Sequence, residues 1–108
     1  MSKKVIAVDI GASSGKMAFG EFDGSQLLIR EYRDFVNRPV EIGTALYWDV
    51  FSLHNAIIDG MAYFKEKYGE ADTVAIDTWG ASYGLLDKKG RLMEPVCHYR
   101  DERTRTTI

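Results

Sequence analysis

Two aspartates in this chain each end a short apolar run of the kind that forms a buried strand. Asp9 follows the run VIAV, and Asp77 ends the run TVAID. A carboxylate in such a place is costly to bury unless it is paired or faces a solvated site. Asp9 is therefore a candidate organiser of a metal ion or a phosphate, with a plain turn cap as the alternative. Asp77 is a candidate for the same reason, although it could instead hold a loop through the backbone amides of Thr78 and Gly80.

A turn of small residues follows Asp9. It consists of Gly11, Ala12, Ser13, Ser14 and Gly15, and Lys16 closes it. Backbone N–H groups and serine hydroxyls in such a turn can surround a phosphate, although a plain hairpin turn has the same composition. A Walker P-loop is excluded, because three residues separate the two glycines instead of four and Met17 follows the lysine.

The elements that would position these residues follow from the apolar pattern and the turn residues. We predict strands at residues 4–10, 16–22 and 26–35, a loop at 37–45, a helix over Val50–Tyr68 and a fourth strand at Thr73–Asp77. A fifth strand is predicted at 83–86, and residues 91–96 are predicted to be extended. The nearly continuous aliphatic content of the first strand predicts burial on both of its faces.

The order β-β-β-α-β-β is typical of the ribonuclease H-like or actin-like α/β fold with a mixed sheet. Because the fourth strand follows a helix, a right-handed crossover would set it parallel to the first strand. Asp9 and Asp77 would then lie side by side at the carboxyl ends of neighbouring strands, where open α/β sheets bind ligands. Two carboxylates at that edge could hold a hydrated Mg²⁺ ion.

The predicted helix carries its own start and stop signals. Its apolar residues recur at the three- and four-residue spacing of one helix face, which predicts packing on a sheet. Asp49 or Ser52 can cap its amino terminus. Gly69 follows the last apolar residue and is a natural carboxy-terminal cap.

Composition describes one small domain. The chain has 108 residues and a formal net charge of −2, which gives no argument for a nucleic-acid or membrane partner. We find no signal peptide and no apolar stretch near the ~20 residues of a membrane helix. The single cysteine, Cys97, cannot form an internal disulfide. That fits a reducing compartment such as the cytoplasm.

Four sequence blocks together resemble a known enzyme family. They are DIGASSGK at 9–16, TALYWDV at 44–50, AIDTWGASYGLLD at 75–87 and YRDERT at 99–104. In this order they are similar to the amino-terminal part of the rhamnulokinases, which are FGGY carbohydrate kinases of the actin-like ATPase fold. The first block alone would indicate a sugar kinase or an actin-like ATPase, and the IDTWG and YRDERT blocks narrow the resemblance to the rhamnulokinases.

The resemblance implies ATP-dependent phosphorylation of L-rhamnulose to L-rhamnulose 1-phosphate in rhamnose breakdown. The ATP phosphates would contact the turn at residues 11–16, and Asp9 would bind Mg²⁺ through water. Gly80 would contact the sugar through its backbone, and Tyr99 would form an aromatic wall beside it. Trp79 could stack on the sugar, or it could be a core residue beneath the loop.

The resemblance also implies that residues 1–108 are only the amino-terminal part of an actin-like kinase domain. Members of the family have two lobes and several hundred residues. Their catalytic base, an aspartate, and their adenine-binding residues would lie beyond residue 108, in the missing carboxy-terminal part. We therefore expect no turnover by this chain alone, and it could self-associate through the surface that the missing part would cover.

Ser82 departs from the family pattern, which has an acidic residue at that place. Another sugar, such as xylulose or fuculose, therefore stays open as the substrate. Two further classes also stay open. A ribonuclease H-like nuclease places metal-binding carboxylates at the same strand ends, and a non-enzymatic actin-like module would bind nucleotide or form filaments.

Overall fold

The computed structural model describes residues 2–80 and 82–98 of the chain. The elements within them are β1 (Lys3–Ile10), β2 (Ser14–Phe22), β3 (Leu27–Val36), β4 (Val40–Ile42), β5 (Ala45–Tyr47), α1 (Val50–Tyr68) and β6 (Thr73–Asp77). The predicted helix and the predicted strand at Thr73–Asp77 are confirmed at both ends. Among the described residues, no helix is both long enough and apolar enough to cross a membrane.

The main sheet has four strands in the order β3-β2-β1-β6. β1 and β2 are antiparallel, as are β2 and β3, while β6 lies parallel to β1 on its other side. This is the predicted α/β arrangement with a mixed sheet. It brings the carboxyl ends of β1 and β6 together at one edge of the sheet.

Helix α1 packs on one face of this sheet and forms the core with it. The buried apolar cluster consists of Ile6, Val8, Met17, Phe19 and Phe64. Phe19 and Phe64 have no exposed surface, and their ring centroids lie 5.5 Å apart. The helix approaches the sheet closely at Gly60, where a Cβ atom would lie 2.3 Å from the Sδ atom of Met17.

The two helix caps form as predicted. The Asp49 carboxylate accepts a hydrogen bond from the backbone N–H of Ser52 at 3.1 Å and another from its hydroxyl at 2.8 Å. At the other end, Gly69 has a φ of 91°, a conformation that glycine adopts without steric cost. Its N–H donates to the carbonyl of Lys65 at 2.9 Å. Each end of the helix thus has a capping hydrogen bond.

The predicted burial of the first strand on both faces is wrong. In β1, Ile6 and Val8 are buried under α1, whereas Ala7 and Asp9, which point the other way, are exposed. Among the described residues, the helix covers one face of the sheet and no element lies against the other. β1 thus has one buried apolar side and one side, with Val5, Ala7 and Asp9, that is partly or fully exposed.

The region between β3 and the helix, predicted as a loop at 37–45, contains a small hairpin. β4 and β5 pair antiparallel in a separate two-stranded sheet, and Gly43 in their turn has a φ of 62°.

The predicted strand at 83–86 is wrong. Its only ladder contact among the described residues is a single bridge between Leu86 and Leu92, around a turn that Asp87 holds by accepting from the amides of Lys89 and Arg91. Residues 91–96, predicted to be extended, belong to neither sheet, but Leu92 makes the bridge to Leu86 and the Val96 carbonyl accepts from the N–H of Trp48 at 2.8 Å.

A polar cluster joins the edge strand β3 to the helix. The Glu31 carboxylate accepts hydrogen bonds from the Tyr63 hydroxyl, the Tyr68 hydroxyl at 2.7 Å and the Lys67 ammonium at 2.8 Å. These donors, the Lys67 bond first, hold the pKa of Glu31 at about 2, below its ordinary 4.5. The same contact raises the pKa of Lys67.

We expect this cluster to make stability depend on acid pH. The pKa of Glu31 in the folded chain, about 2, lies below the ordinary value of 4.5. The stability that ionised Glu31 contributes is therefore fully present when the pH is above 4.5, and it is lost as the pH falls toward about 2. In thermal unfolding, E31Q should melt several degrees below wild type at pH 7, and the gap should shrink as the pH falls through 4 and 3. E66Q, at an exposed position on α1, is the control and should follow wild type. A gap that stays constant with pH would contradict the prediction.

Candidate functional site

The two candidate carboxylates lie side by side at the carboxyl edge of the sheet. β1 and β6 pair in parallel so that Asp9 is the register partner of Asp77. Both residues are exposed and both alternate with residues that face the helix, so they share the open face of the sheet. The predicted neighbourhood of these two aspartates is thus confirmed.

Two further charged residues continue the same row across the sheet. Lys16 is the register partner of Asp9 on β2, and Asp34 is the register partner of Lys16 on β3. The ammonium of Lys16 lies 3.9 Å from the Asp34 carboxylate and 5.1 Å from the centre of the Tyr32 ring. Lys16 therefore sits in a strand on the open face, with its charge directed toward β3.

The turn of small residues is shorter than predicted. Gly11, Ala12 and Ser13 connect the strands, while Ser14, Gly15 and Lys16 already belong to β2. The N–H of Gly11 donates to the carbonyl of Ser14 at 2.9 Å, and a Cβ atom on Gly11 would lie 2.7 Å from that carbonyl oxygen. The turn closes this tightly because glycine stands at its first position.

Gly15 is required for a different reason. It is buried in β2 beside its register partner Phe35, and a Cβ atom there would lie 2.1 Å from the Phe35 ring. The ring of Phe35 thus fills the space below the turn. Gly15 supports the turn from the helix side of the sheet and offers no side chain to a ligand.

Asn37, predicted only as the start of a loop, contacts the turn between β1 and β2. Its side chain is 2% exposed, and its Nδ2 donates to the carbonyl of Gly11 at 2.8 Å. Its backbone N–H donates to the carbonyl of Ser13 at 3.1 Å. The sequence alone holds no signal for these contacts, since they depend on the register that brings the end of β3 beside the turn.

An aromatic pocket adjoins the carboxylate edge. Trp48 and Trp79 stack with their ring centroids 3.9 Å apart, and His98 lies at the same centroid distance from Trp48. The Nε1–H of Trp48 donates to the hydroxyl of Ser82 at 2.9 Å. The pocket has a volume of about 210 Å³. Its lining includes Ile10, Val50, Leu53, Thr78, Trp79, Ser82 and Tyr83.

The pocket and the turn are directly connected. Ile10 ends β1 and lines the pocket, and the hydroxyl of Thr78, which follows Asp77, donates to the carbonyl of Ile10 at 3.3 Å. Gly80 is exposed, with open space at its Cβ position. Tyr99, the predicted aromatic wall, lies outside the described residues, as does Ala81.

This edge offers oxygen ligands from two side chains. Within residues 2–80 and 82–98, no group of three or more His, Cys, Asp and Glu side chains is placed to hold a metal ion. Asp9 and Asp77 nevertheless fit a magnesium ion, because Mg²⁺ is usually held by one or two carboxylates together with water and substrate phosphates. The arrangement can therefore present carboxylates and a backbone turn to a magnesium-bound phosphate.

Comparison with known proteins matches nearly the whole chain to sugar kinases. No family model matches. A rhamnulokinase of Bacteroides thetaiotaomicron is 36% identical over 104 residues, which cover 96% of this chain and 21% of the relative. A rhamnulokinase of Bacillus subtilis is 39% identical over 102 residues, covering 94% of this chain and 21% of the relative.

Solved structures give the same fold. A xylulose kinase of Lactobacillus acidophilus superposes with a TM-score of 0.77 at 13% identity, over 96% of this chain and 21% of that one. A gluconate kinase of the same organism superposes with a TM-score of 0.76 at 12% identity, over 98% of this chain and 21% of that one. The chain thus spans about a fifth of the length of the proteins it matches. The chain is similar in sequence to a segment of these rhamnulokinases, and its fold is similar to that of the matching segment of the two sugar kinases.

Proposed function

We propose that residues 1–108 are the amino-terminal part of a longer cytoplasmic kinase that transfers a phosphoryl group from ATP to L-rhamnulose, giving L-rhamnulose 1-phosphate. One observation carries the proposal. Relatives named rhamnulokinase are similar to 93–96% of this chain at 32–39% identity. The position of Asp9 and Asp77 at an open sheet edge supports it, because phosphoryl transfer needs a place for phosphates and their metal ion.

The turn between β1 and β2 would bind the ATP phosphates. Its exposed residues are Ala12, Ser13 and Ser14, which offer backbone N–H groups and two hydroxyls, while Gly11 and Gly15 permit its tight shape. Lys16, at the neighbouring position in β2, would add positive charge once its exposed side chain turns from Asp34 toward the phosphates. Backbone N–H groups in a turn favour anions by their partial positive charge.

Asp9 and Asp77 would hold Mg²⁺ through its water molecules. When bound, the ion neutralises charge that develops on the transferring phosphoryl group. The part of these two residues is to place the ion beside the turn. Asp9 is the nearer to the turn along the chain, since one residue separates it from Gly11.

The aromatic pocket would bind the sugar. Trp79 supports this role because it lines the pocket and stacks on Trp48, and Gly80 supports it because it is exposed, with open space at its Cβ position. Tyr99 is proposed as a further wall. The general base that takes the proton from the sugar hydroxyl is proposed to lie in the remainder of the kinase.

Phosphorylation of another sugar, nuclease activity and filament formation are the alternative outcomes of the test. The structural likeness to xylulose and gluconate kinases concerns the fold and does not choose among sugars. A two-metal nuclease needs clustered carboxylates, whereas the described residues bring two together, Asp9 and Asp77. A filament-forming module would assemble when nucleotide is added.

The test is product identification with the full-length protein. We expect MgATP and L-rhamnulose to yield ADP and a phosphate ester at the terminal hydroxyl, detected by phosphorus NMR. ATP breakdown to free phosphate without a sugar ester would contradict the proposal, and so would nucleotide-dependent light scattering without any turnover. The 108-residue chain, assayed alone, should yield no ester.

A further inference from the structure

Asn37 ties two peptide groups of the β1–β2 turn from below. Its Nδ2 donates to the Gly11 carbonyl at 2.8 Å, and its N–H donates to the Ser13 carbonyl at 3.1 Å. Both bonds join the turn to the end of β3, which is 26 residues away along the chain from Gly11. The turn is therefore held by a third strand as well as by its own hairpin.

These bonds engage the carbonyl oxygens that would otherwise repel an anion. The carbonyls of Gly11 and Ser13 accept from Asn37, and the carbonyl of Ser14 accepts from the N–H of Gly11 at 2.9 Å. A carbonyl oxygen carries the negative end of the peptide dipole, so an anion site must keep such groups turned away. Three carbonyls of the turn thus already accept hydrogen bonds within the protein.

The same bonds set the direction of at least one donor. A trans peptide is planar and points its C=O and N–H groups in opposite directions. Because the Gly11 carbonyl points at the buried Asn37 side chain, the N–H of Ala12 in that peptide points away from it. Ala12 is exposed, so this N–H faces the solvent side of the turn, where a phosphate would lie.

Stability alone does not account for this asparagine. Its Oδ1 is buried without a hydrogen-bond partner among the described residues. A buried acceptor that lacks a partner costs free energy, so the amide is only half satisfied in its place. The amide atom that has a partner, Nδ2, is the one that bonds to the turn.

We infer that Asn37 is a positioning residue for the phosphate-binding turn, whose side chain holds the Gly11 carbonyl away from the ligand. The bond to Ser13 comes from the backbone N–H of residue 37 and does not depend on the side chain. This inference rests on the proposed function, since it assumes that the turn binds the ATP phosphates. Asn37 itself touches no substrate. It acts through the peptide groups of residues 11–14.

The test is the kinetics of N37D and N37L in the full-length kinase. The carboxylate of N37D keeps the shape but cannot donate to Gly11, and the side chain of N37L keeps the volume without any polar group. We expect either change to raise the KM for MgATP about five- to tenfold, as for the loss of one buried hydrogen bond. The KM for L-rhamnulose should stay within about twofold. The KM is independent of the folded fraction, so partial misfolding would not imitate this result.

Asn55, exposed on α1, supplies the matched controls N55D and N55L, which should leave both KM values unchanged. An unchanged KM for MgATP in both Asn37 variants would overturn the inference, as would an equal rise in both KM values. If wild type shows no sugar-dependent turnover, the proposed function fails and the phosphate-positioning role of Asn37 is overturned with it. Amide exchange in the 108-residue chain then decides only whether the Asn37 side chain holds the turn. Exchange of the Gly11 N–H at the wild-type rate in N37L would show that it does not, whereas selectively faster exchange in the turn would show that it does.

Discussion

The substitution D9A is expected to lower the kcat/KM of the full-length kinase about 100-fold or more, which is the usual scale for removing a group that organises transition-state charge. Asp9 pairs in register with Asp77 at the carboxyl edge of the sheet and lies two positions before Gly11, where the turn begins. Because its side chain is exposed, removing it should leave folding intact. The measurement is a coupled assay of ADP formation with MgATP and L-rhamnulose.

Asp34 provides the matched control for Asp9. It occupies the same row across the sheet, two strands away, and its contact is the ion pair with Lys16. That ion pair lies at the surface, where such contacts contribute little to the stability of the fold. D34A should therefore retain activity within about twofold. Equal losses in D9A and D34A would show that the row as a whole, and not the Asp9–Asp77 edge, matters for turnover.

The substitution F64A is expected to destabilise the fold by about 3–5 kcal/mol, the usual cost of emptying the site of a buried aromatic ring. Phe64 has no exposed surface and packs against Phe19, which itself stacks on Tyr68 with a centroid distance of 4.6 Å. One ring thus joins the helix to the centre of the sheet. Urea unfolding followed by circular dichroism measures the loss.

Phe51 is the control for Phe64, since it is the same residue type on the same helix. It is 72% exposed, and F51A should change the free energy of unfolding by less than about 0.5 kcal/mol. A small domain has a total stability of roughly 5–15 kcal/mol, so F64A could leave the chain unfolded at room temperature. A loss in F64A no larger than in F51A would contradict the assigned core.

The helix could be predicted to the residue because its limits are local. Asp49 caps its first turn and Gly69 ends it through a positive φ, and neither signal depends on the rest of the fold. The parallel pairing of Asp9 with Asp77 also followed from local patterns. Two apolar runs separated by a helix have few ways to join one sheet.

The errors concern features that depend on distant partners. β4 and β5 have three residues each, which is too short for a period of two to show. At 83–86, Tyr83 and Leu86 have strand-like character, but 77% and 61% of their surfaces are exposed. Within residues 2–80 and 82–98, no neighbouring strand pairs with them beyond the bridge at Leu86. The sequence could not distinguish apolar residues that pair from those that do not.

The sequence predicts only part of the candidate site, because some of its residues are brought there by contacts between distant parts of the chain. Asp9, Gly11 and Trp79 could be selected by residue type and by block resemblance. Asn37 could not, because it acts through the register of β3 beside the turn. Trp48 stands in the block at 44–50, but its part in the pocket depends on stacking against Trp79, which the sequence does not show. Lys16, predicted to close the turn and to begin the second strand, lies in β2 as predicted, but that strand begins two residues earlier, at Ser14.

The most direct measurement is a comparison of sugars in the coupled ADP assay with the full-length protein. L-Rhamnulose, L-fuculose, D-xylulose, L-ribulose and glycerol are supplied in turn with MgATP, for wild type and for D9A. We predict turnover chiefly on L-rhamnulose, lost in D9A. Preference for another sugar would keep the kinase and contradict the proposed substrate, with Trp79 and Ser82 in the aromatic pocket as the first positions to examine. No sugar-dependent ADP formation with any of the five would contradict the kinase itself.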